Sequence, residues 1–424
     1  MRPRGWALLL IVLLFPAPVL GQEASPSTEE GGLIRRLGLN GSIRGGFWSS
    51  SRMLDGKRDV GAGSLWLKGA QNLGPNSSLH FDGWVGRLFD ESDIDSRLRE
   101  GYIDIGAGPI DLRIGQQIIV WGRADRINPT DNLTPRDFTL LVPDDDDQRL
   151  GTLALKGTYF IGQTSITAIW LPHFKPNRIP LRPPSPPLVF NEKRPDGIDP
   201  QGAFKIDRTG GVVDWSLSYF HGFDLFPDMA MDLSNLPSVH LVLESHEIDV
   251  IGADAAATVG RFGFRGEAAY TFTEDRGGED PQIKNPFFFL VVGGDRTFLE
   301  YLNINFQYIF RRVSRYRNPE EIPNPLEREV AVQQAVITNQ IDRVQQGISL
   351  RISRQWLNET LEGEAAGIFF LSRKDYAIRP KVTYAFSDRW KGIVGADLFR
   401  GEPRSFFGYL RRNSTAYAEL RWGF

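Results

Sequence analysis

The sequence predicts an all-β protein, a transmembrane antiparallel β-barrel of about 18 strands with short turns at one end and long loops at the other. Three observations predict it: an apolar secretion segment at the start, short and long connections that alternate along the chain, and an alternating strand at the very end. In lipid every backbone polar group must be paired, so a sheet spans a membrane only as a closed barrel with an apolar outer face.

The first 21 residues are typical of a secretory signal peptide. Arg2 and Arg4 form a basic start, residues 5–14 are apolar, and Val19-Leu20-Gly21 precedes a predicted cleavage site before Gln22. The alternative is a membrane anchor, but the apolar run is shorter than the roughly 20 residues that a spanning helix needs. Residues 22–36 are predicted to be a short periplasmic segment, and residues 37–424 the barrel. A segment of this size is too short for a globular plug.

The composition fits a barrel and excludes several other classes. The chain has 0 cysteines, so disulfide and thiol chemistry and lipid attachment through cysteine are excluded. A formal net charge of −3 is too small to indicate a nucleic-acid partner. A mean hydropathy of −0.27 is compatible with a membrane protein, because only alternate residues of a barrel strand meet lipid.

Hairpins repeat along the whole of 37–424. Gly, Asn, Asp and Pro mark short turns at 72–76, 107–109, 161–162, 208–211, 259–260, 294–297, 358–360 and 387–389. Longer polar stretches lie between the hairpins, at 49–60, 121–148, 173–198, 222–244, 273–285, 312–345 and 401–412. An even number of strands, about 18, places both chain ends on the periplasmic side. Sixteen is the alternative, because the strands at 199–207 and 286–294 are weakly patterned.

The last strand has one apolar and one polar face. Its apolar face consists of Ala416, Ala418, Leu420, Trp422 and Phe424. Side chains alternate between the two faces of a strand, so this face is predicted to meet lipid while the intervening residues meet water. A strand that ends in an aromatic residue resembles the assembly signal of outer-membrane barrels. The predicted partners are therefore outer-membrane lipid, lipopolysaccharide and, through Phe424, the barrel-assembly machinery.

A barrel of this size is expected to enclose an aqueous pore. The candidate residues for the pore lining or the solute path carry charges of both signs, or lie where a strand delivers them to the lumen. They are Arg44, Asp82, Glu100, Arg113, Gln117, Trp121, Arg123, Asp125, Arg126, Asp131, Arg265, Glu267 and Lys381. The alternative for each of them is simple pairing and hydration across a polar lumen. Charge affects ion selectivity only when it is concentrated at a constriction.

The loop at 121–148 is the candidate for that constriction. The strand before it breaks at Trp121-Gly122, and the loop then carries paired charges spaced by Pro129 and Pro135. Such a loop either lies solvated outside or folds back into the lumen. Classical porins narrow their channels with their third loop, but this parallel concerns the fold and does not establish function. We predict that 121–148 folds inward.

The same region resembles a known family. The motifs that carry the resemblance are Arg99–Asp104, Arg113–Gln117, Val120–Asp125, Asn128-Pro129, Gly293–Phe298, Asn305–Gln307 and Tyr417–Arg421. They are similar to a porin-like group of Gram-negative outer-membrane β-barrels of largely unknown function. The resemblance implies a barrel in the outer membrane and the passage of small or hydrophobic compounds, and it supplies no substrate.

Two further segments have more than one interpretation. Asp144–Asp147 offers hard oxygen ligands for Ca²⁺, but the ligand spacing of a known calcium loop is absent. A solvated acidic turn or a lumen-facing set of ion-pair partners is the preferred interpretation, and no metal or cofactor is predicted. Residues 324–345 lose the two-residue rhythm, and an apolar stripe there predicts a helix that packs on the barrel rim.

The histidines give little support for an enzyme. Outer-membrane hydrolases need a nucleophile or an activated water beside a base, and the 5 histidines occur in no recognisable catalytic motif. Ser245-His246-Glu247 is adjacent in sequence, but consecutive strand residues face opposite sides. We therefore predict a non-enzymatic, porin-like channel for small solutes. The alternatives are a transporter of hydrophobic compounds or lipids and, third, a hydrolase; the solute and the oligomeric state stay open.

Overall fold

The structure, a computed structural model, describes residues 38–54, 57–88, 94–179, 188–193, 200–232, 239–299 and 301–424. The predicted signal peptide and the segment 22–36 lie outside the described residues. Within the described part, eighteen strands form one antiparallel sheet that closes on itself. The predicted all-β barrel and its strand number are therefore confirmed.

The strands are numbered in chain order, and three of them belong to a separate small sheet. They are β1 (Leu39–Leu54), β2 (Lys57–Gly74), β3 (Ser77–Arg87), β4 (Asp95–Ala107), β5 (Ile110–Gln117), β6 (Thr152–Ile161), β7 (Thr164–Leu171), β8 (Leu188–Lys193), β9 (Gln201–Arg208), β10 (Asp214–Phe223), β11 (Asp228–Asp232), β12 (Val239–Glu244), β13 (Glu247–Val259), β14 (Phe262–Thr273), β15 (Phe287–Phe298), β16 (Leu302–Val313), β17 (Val344–Trp356), β18 (Leu361–Phe370), β19 (Asp375–Ala385), β20 (Trp390–Arg400) and β21 (Thr415–Gly423). The helices are α1 (Pro325–Ile337) and α2 (Phe406–Leu410).

The first and last strands of the barrel close it. β1 pairs with β21 from Ser42↔Gly423 to Ser50↔Thr415, and with β2 on its other side. Gly41 and Phe424 each donate a backbone hydrogen bond of 3.1 Å to the other's carbonyl. The closing strand is thus hydrogen-bonded to its neighbour as far as its last residue, as the alternation to Phe424 predicts.

The rhythm of short turns and long loops is largely as predicted, with two corrections. The stretch 49–60 is not a loop, because β1 continues to Leu54 and β2 begins at Lys57. A hairpin that extends beyond the lipid needs no apolar face, so the polar sequence of 49–60 is compatible with strand. The turn expected at 294–297 is also wrong: β15 continues to Phe298, with the Arg296 guanidinium carbon 4.6 Å from the Phe262 ring centroid. The weakly patterned segments 199–207 and 286–294 form β9 and β15.

The outer wall of the barrel is apolar. Phe306 and Leu420 are each 46% exposed, whereas their strand neighbours Asn305 and Glu419 are 3% and 5% exposed. This alternation turns the large apolar side chains outward, where a bilayer covers them, and the polar ones inward. No helix in the described part of the chain is long and apolar enough to cross a membrane. The closed sheet and its apolar exterior agree with the predicted outer-membrane location.

A cap lies at the long-loop end. It consists of the sheet of β8, β11 and β12, in which β12 pairs with both others, together with α1. Helix α1 begins at Pro325 and is capped by Asn324, which accepts a 3.0 Å hydrogen bond from Leu326 N. One cluster packs α1 onto β11 and β12 through Met229, Leu241, Val330 and Ile337. The predicted helical stripe in 324–345 is confirmed.

Candidate functional site

The loop between β5 and β6, residues 118–151 and here called the inner loop, lies inside the barrel. Ile119, Trp121 and Leu133 are at most 6% exposed, and they pack on an apolar patch of the lumen wall. The wall residues of this patch are Ala154, Ile169, Leu171, Ala203, Phe220, Ile248, Val250 and Ala269. Their alternation with outward residues, such as Ile169 at 4% beside Trp170 at 48%, shows that they face inward. The inner loop therefore lies against the lumen wall from the residues that directly follow β5.

Glu267 of β14 holds the first part of the inner loop. Its carboxylate accepts hydrogen bonds from Ala124 N at 3.1 Å, Thr130 N and Thr130 Oγ1 at 2.7 Å each, and Asn128 Nδ2 at 3.2 Å. Gly122 has a φ of +94°, and a Cβ there would lie 2.3 Å from the Glu267 carboxylate. The glycine is thus required both by the backbone conformation and by the close approach to Glu267.

Arg123 ties the loop to the wall on the side of β9 and β13. It donates to Asp254 and, at 2.9 Å, to Asp207. Burial lowers the pKa of Arg123, but the two carboxylates outweigh it and raise that pKa above its usual value. The guanidinium is therefore a permanent cation held between two wall carboxylates.

Asp125 and Arg126 reach the opposite wall. The backbone N–H of Asp125 donates to Gln307 of β16 at 2.8 Å, and its side chain accepts from Arg351 of β17 at 2.9 Å. Arg126, at a φ of +66°, donates to Glu364 of β18 at 2.8 Å. Residues 123–126 thus bridge the lumen from β9 to β18.

The acidic run Asp144–Asp147 contacts the remaining arc of the wall. Asp144 accepts from Lys381 of β19 at 3.0 Å, and Asp145 accepts from Arg379 of the same strand. Asp147 accepts from Arg44 of β1 at 2.5 Å. The run therefore supplies ion-pair partners to the lumen, which was the preferred interpretation.

The electrostatics of the run agree with this pairing. Burial raises the pKa of Asp144, but Arg421 and Lys381 outweigh it and hold that pKa below its usual range. Arg379 does the same for Asp145, so both aspartates are anionic. Among the described residues, no group of three or more acidic or histidine side chains is arranged for a metal ion.

Arg99 of β4 is a wall residue that the sequence pattern conceals. It donates to the backbone oxygen of Asp146 at 2.6 Å and of Arg149 at 3.2 Å, and to Asp82 at 2.9 Å. Asp82 pairs with Glu100 and Gly83 with Leu98, so Arg99 is an extra residue in a β-bulge. A bulge shifts the two-residue alternation, which is why strict alternation places Arg99 on the wrong face.

A charged cavity of about 410 Å³ remains between the inner loop and the wall of β18, β19 and β21. Ten charged side chains line it: Asp125, Arg126, Arg136, Asp144, Asp145, Asp146, Arg149, Glu364, Arg379 and Lys381. Cations and anions are equal in number, and most of them form the ion pairs described above. The cavity is a polar compartment at the level of the inner loop.

Most of the predicted site residues meet at the inner loop. Trp121, Arg123, Asp125, Arg126 and Asp131 belong to the loop, and Arg44, Glu100, Gln117, Glu267 and Lys381 lie on the wall that contacts or adjoins it. Asp82 contacts the loop only through Arg99. Arg113 and Arg265 do not belong to this set, because they pair with Asp104 and Asp295 nearer the short-turn end.

Sequence reasoning missed Arg99, Arg149 and Arg379 as site residues. The bulge conceals Arg99. No local sequence pattern marks Arg149 and Arg379 as site residues, because their partners lie in distant strands or loop segments. The part that any of these residues plays in transport remains a prediction.

The structure brings one serine and one aspartate close to a histidine. His80 Nε2 lies 2.9 Å from Ser78 Oγ and 3.7 Å from Asp104 Oδ2. A catalytic triad needs its serine and its carboxylate at opposite nitrogens of the imidazole. Both contacts here involve the same nitrogen, so the arrangement does not give a triad.

No protein-family model and no curated protein sequence matches the chain. Among solved structures it is similar to a loop-deletion variant of OmpT, an outer membrane protein of Vibrio cholerae, at 10% identity and a TM-score of 0.45 over 91% of this chain and 98% of that one. A mutant of Rh. blastica porin matches at 10% identity and 0.44 over 91% and 99%. The outer membrane channel DcaP of Acinetobacter baumannii matches at 11% and 0.44 over 91% and 96%. Similarity at this level carries no information about the solute.

Proposed function

We propose that the protein is an outer-membrane channel for small polar solutes and that the inner loop forms its constriction. One observation carries the proposal: the inner loop crosses the lumen and pairs with wall strands around the barrel, leaving a charged cavity beside it. Fixed charges in such a confined space act more strongly on a passing ion than they do in bulk water.

The alternative of a transporter for hydrophobic compounds receives less support. Such a transporter needs an apolar path, and the apolar patch of the wall is covered by Ile119, Trp121 and Leu133. The space left beside the inner loop is lined mainly by charged groups. The geometry therefore favours polar over hydrophobic solutes.

The experiment is single-channel recording of the purified protein in a planar bilayer. Steady ohmic steps are expected for the natural sequence. Replacing Arg123 and Arg126 together by Ala leaves Asp207, Asp254 and Glu364 without these cations, so the preference for cations over anions is expected to rise severalfold.

Two further variants complete the test. Arg276, which is highly exposed and bonds Asp249, provides a matched control, and Arg276→Ala should leave selectivity unchanged. Replacing 125–137 by a short glycine-serine linker should raise the conductance, because it removes the central part of the inner loop from the lumen. A folded protein that stays silent, or whose conductance and selectivity do not change in the loop variants, would contradict the proposal.

A further inference from the structure

Two arginines of the inner loop lie side by side at the charged cavity. Arg136 and Arg149 form an isolated antiparallel bridge, and residues paired in this way carry their side chains on the same face. Both side chains line the cavity. They share one carboxylate: Asp131 Oδ2 lies 2.8 Å from Arg149 Nη2 and 3.8 Å from Arg136 Nη2. The Asp131 carboxylate is thus shared by two cations.

The Arg149 guanidinium still has unused donors. Its side chain is only 6% exposed, and within the described residues its Nε and Nη1 have no hydrogen-bond partner. Asp146 Oδ1 lies 3.6 Å from Nε, beyond hydrogen-bonding distance, and its side chain is 91% exposed. A buried donor without a partner is costly, so the site is suited to a ligand that supplies an acceptor.

Four of the five carboxylates that line the cavity already have cationic partners. Asp125 is paired with Arg351, and the partners of Asp144, Asp145 and Glu364 are Lys381, Arg379 and Arg126. The fifth, Asp146, is 91% exposed and lies 3.6 Å from Arg149 Nε, so the Nε and Nη1 donors of Arg149 remain without a hydrogen-bonded acceptor in the described part of the chain. Burial and the neighbouring Arg149 hold the pKa of Arg136 below its usual value, although Asp131, Asp145 and Asp146 act in the opposite direction.

We propose that this cavity binds a small organic carboxylate through Arg136 and Arg149. The proposal rests on the proposed channel function and names the class of its solute. A planar, doubly accepting carboxylate matches the fork of a guanidinium, and charge-assisted hydrogen bonds of this kind are the stronger ones. A volume of about 410 Å³ falls within the range of small-molecule sites, about 300–1,000 Å³.

The test is calorimetric titration of the folded, detergent-solubilised protein with benzoate and with benzamide, which has a similar shape and no charge. Benzoate is expected to bind at least about tenfold more tightly than benzamide, since a hydrogen bond to a charged group contributes about 1.5–3 kcal/mol. Arg136→Gln should remove most of this preference, and Arg136→Lys should retain part of it. Arg276→Gln is the control at an exposed arginine.

Asp131→Asn provides a variant with the opposite expected effect. It removes the carboxylate that Arg136 and Arg149 share, so benzoate should bind more tightly, a result that misfolding cannot produce. Equal binding of benzoate and benzamide, or unchanged benzoate binding in Arg136→Gln, would overturn the proposal. Ohmic conductance without benzoate binding would leave the channel standing and remove the carboxylate site. Benzoate binding without conductance would leave the carboxylate site standing and remove the channel.

Discussion

At the residue scale, the position of the inner loop depends strongly on Glu267. Its carboxylate accepts hydrogen bonds from three residues of the loop and is almost fully buried beneath it. Sequence reasoning placed Glu267 among the pore-lining candidates, whereas the structure places it between the loop and the wall. A buried acceptor with so many donors acts by positioning the loop rather than by facing the solute.

We expect Glu267→Ala to loosen the inner loop. The change leaves the donors of Ala124, Asn128 and Thr130 without their acceptor, and the docking free energy of the loop should fall by about 2–4 kcal/mol. Single-channel recordings should then show a higher and noisier conductance, and hydrogen exchange should rise within 118–151.

Glu362→Ala is the matched control, since Glu362 lies on the lumen side of β18 and makes no hydrogen bond or ion pair to the inner loop in the described structure. If Glu267→Ala and Glu362→Ala gave the same recordings, Glu267 would have no special part in holding the loop.

At the scale of single elements, β21 determines whether the barrel can close. Phe424 contributes the last pair of backbone hydrogen bonds to Gly41, and its ring lies 5.3 Å from that of Trp422. Both rings lie at the end of the barrel where the chain terminates, the depth at which an aromatic girdle meets the membrane interface.

Deleting Phe424, or changing it to Asp, should therefore leave the protein unassembled and sensitive to protease. Phe424→Tyr, which keeps an aromatic ring at the interface, should assemble. Heat-modifiable electrophoretic mobility reports the folded barrel in each case. Normal mobility of Phe424→Asp would show that the last residue has no role in assembly.

The cap is a second element, and its stability is expected to depend on the protonation of His246. His246 Nδ1 lies 2.9 Å from Asp228, which also accepts from Gln334 of α1, and the buried Lys284 lies 3.5 Å from the same carboxylate. Burial lowers the pKa of His246, but the hydrogen bond and charge of Asp228 outweigh it, so that pKa is raised. A raised folded-state pKa means that protonation stabilises the cap.

The sign of the pH dependence follows from this shift. The stabilisation is fully present below the unfolded-state pKa of about 6.5 and is lost as the pH rises through the higher folded-state pKa. The protection factor of the α1 amides, which is the exchange rate corrected for its intrinsic pH dependence, should therefore be highest in mildly acidic solution and lower above neutral pH. In His246→Gln this dependence should disappear; its persistence would assign the effect to another group.

At the scale of the whole molecule, the two faces of the barrel wall should respond differently to charge. Phe306→Arg places a charge on the lipid face and should cost about 2–4 kcal/mol near the bilayer midplane. Ser353→Arg on the lumen side, next to Glu364 on the neighbouring strand, should have little effect. Asn305 and Glu419 are unsuitable controls, because both are almost fully buried.

Urea titrations of the protein folded in lipid vesicles measure this difference. Equal losses of unfolding free energy in Phe306→Arg and Ser353→Arg would show that the assignment of the two faces is wrong.

The sequence predicts those parts of the molecule that follow from local periodicity. Leu420 and Phe306 alternate with polar neighbours in a strict two-residue period, so their outward orientation was predictable. Arg99 was not, because one extra residue in a bulge shifts the period. The contact between Asp144 and Lys381 joins residues 237 positions apart, and no local pattern encodes which strands face each other across a lumen.

The same contacts constrain the order in which the molecule assembles. The inner loop lies early in the chain, but Asp147 bonds Arg44 of β1 and Asp144 bonds Arg421 of β21, the two strands that meet at the seam. Its full set of partners exists only after the last strand has joined the first. The nascent barrel is therefore expected to pass through a wide-open form, and docking of the inner loop is the final step of maturation.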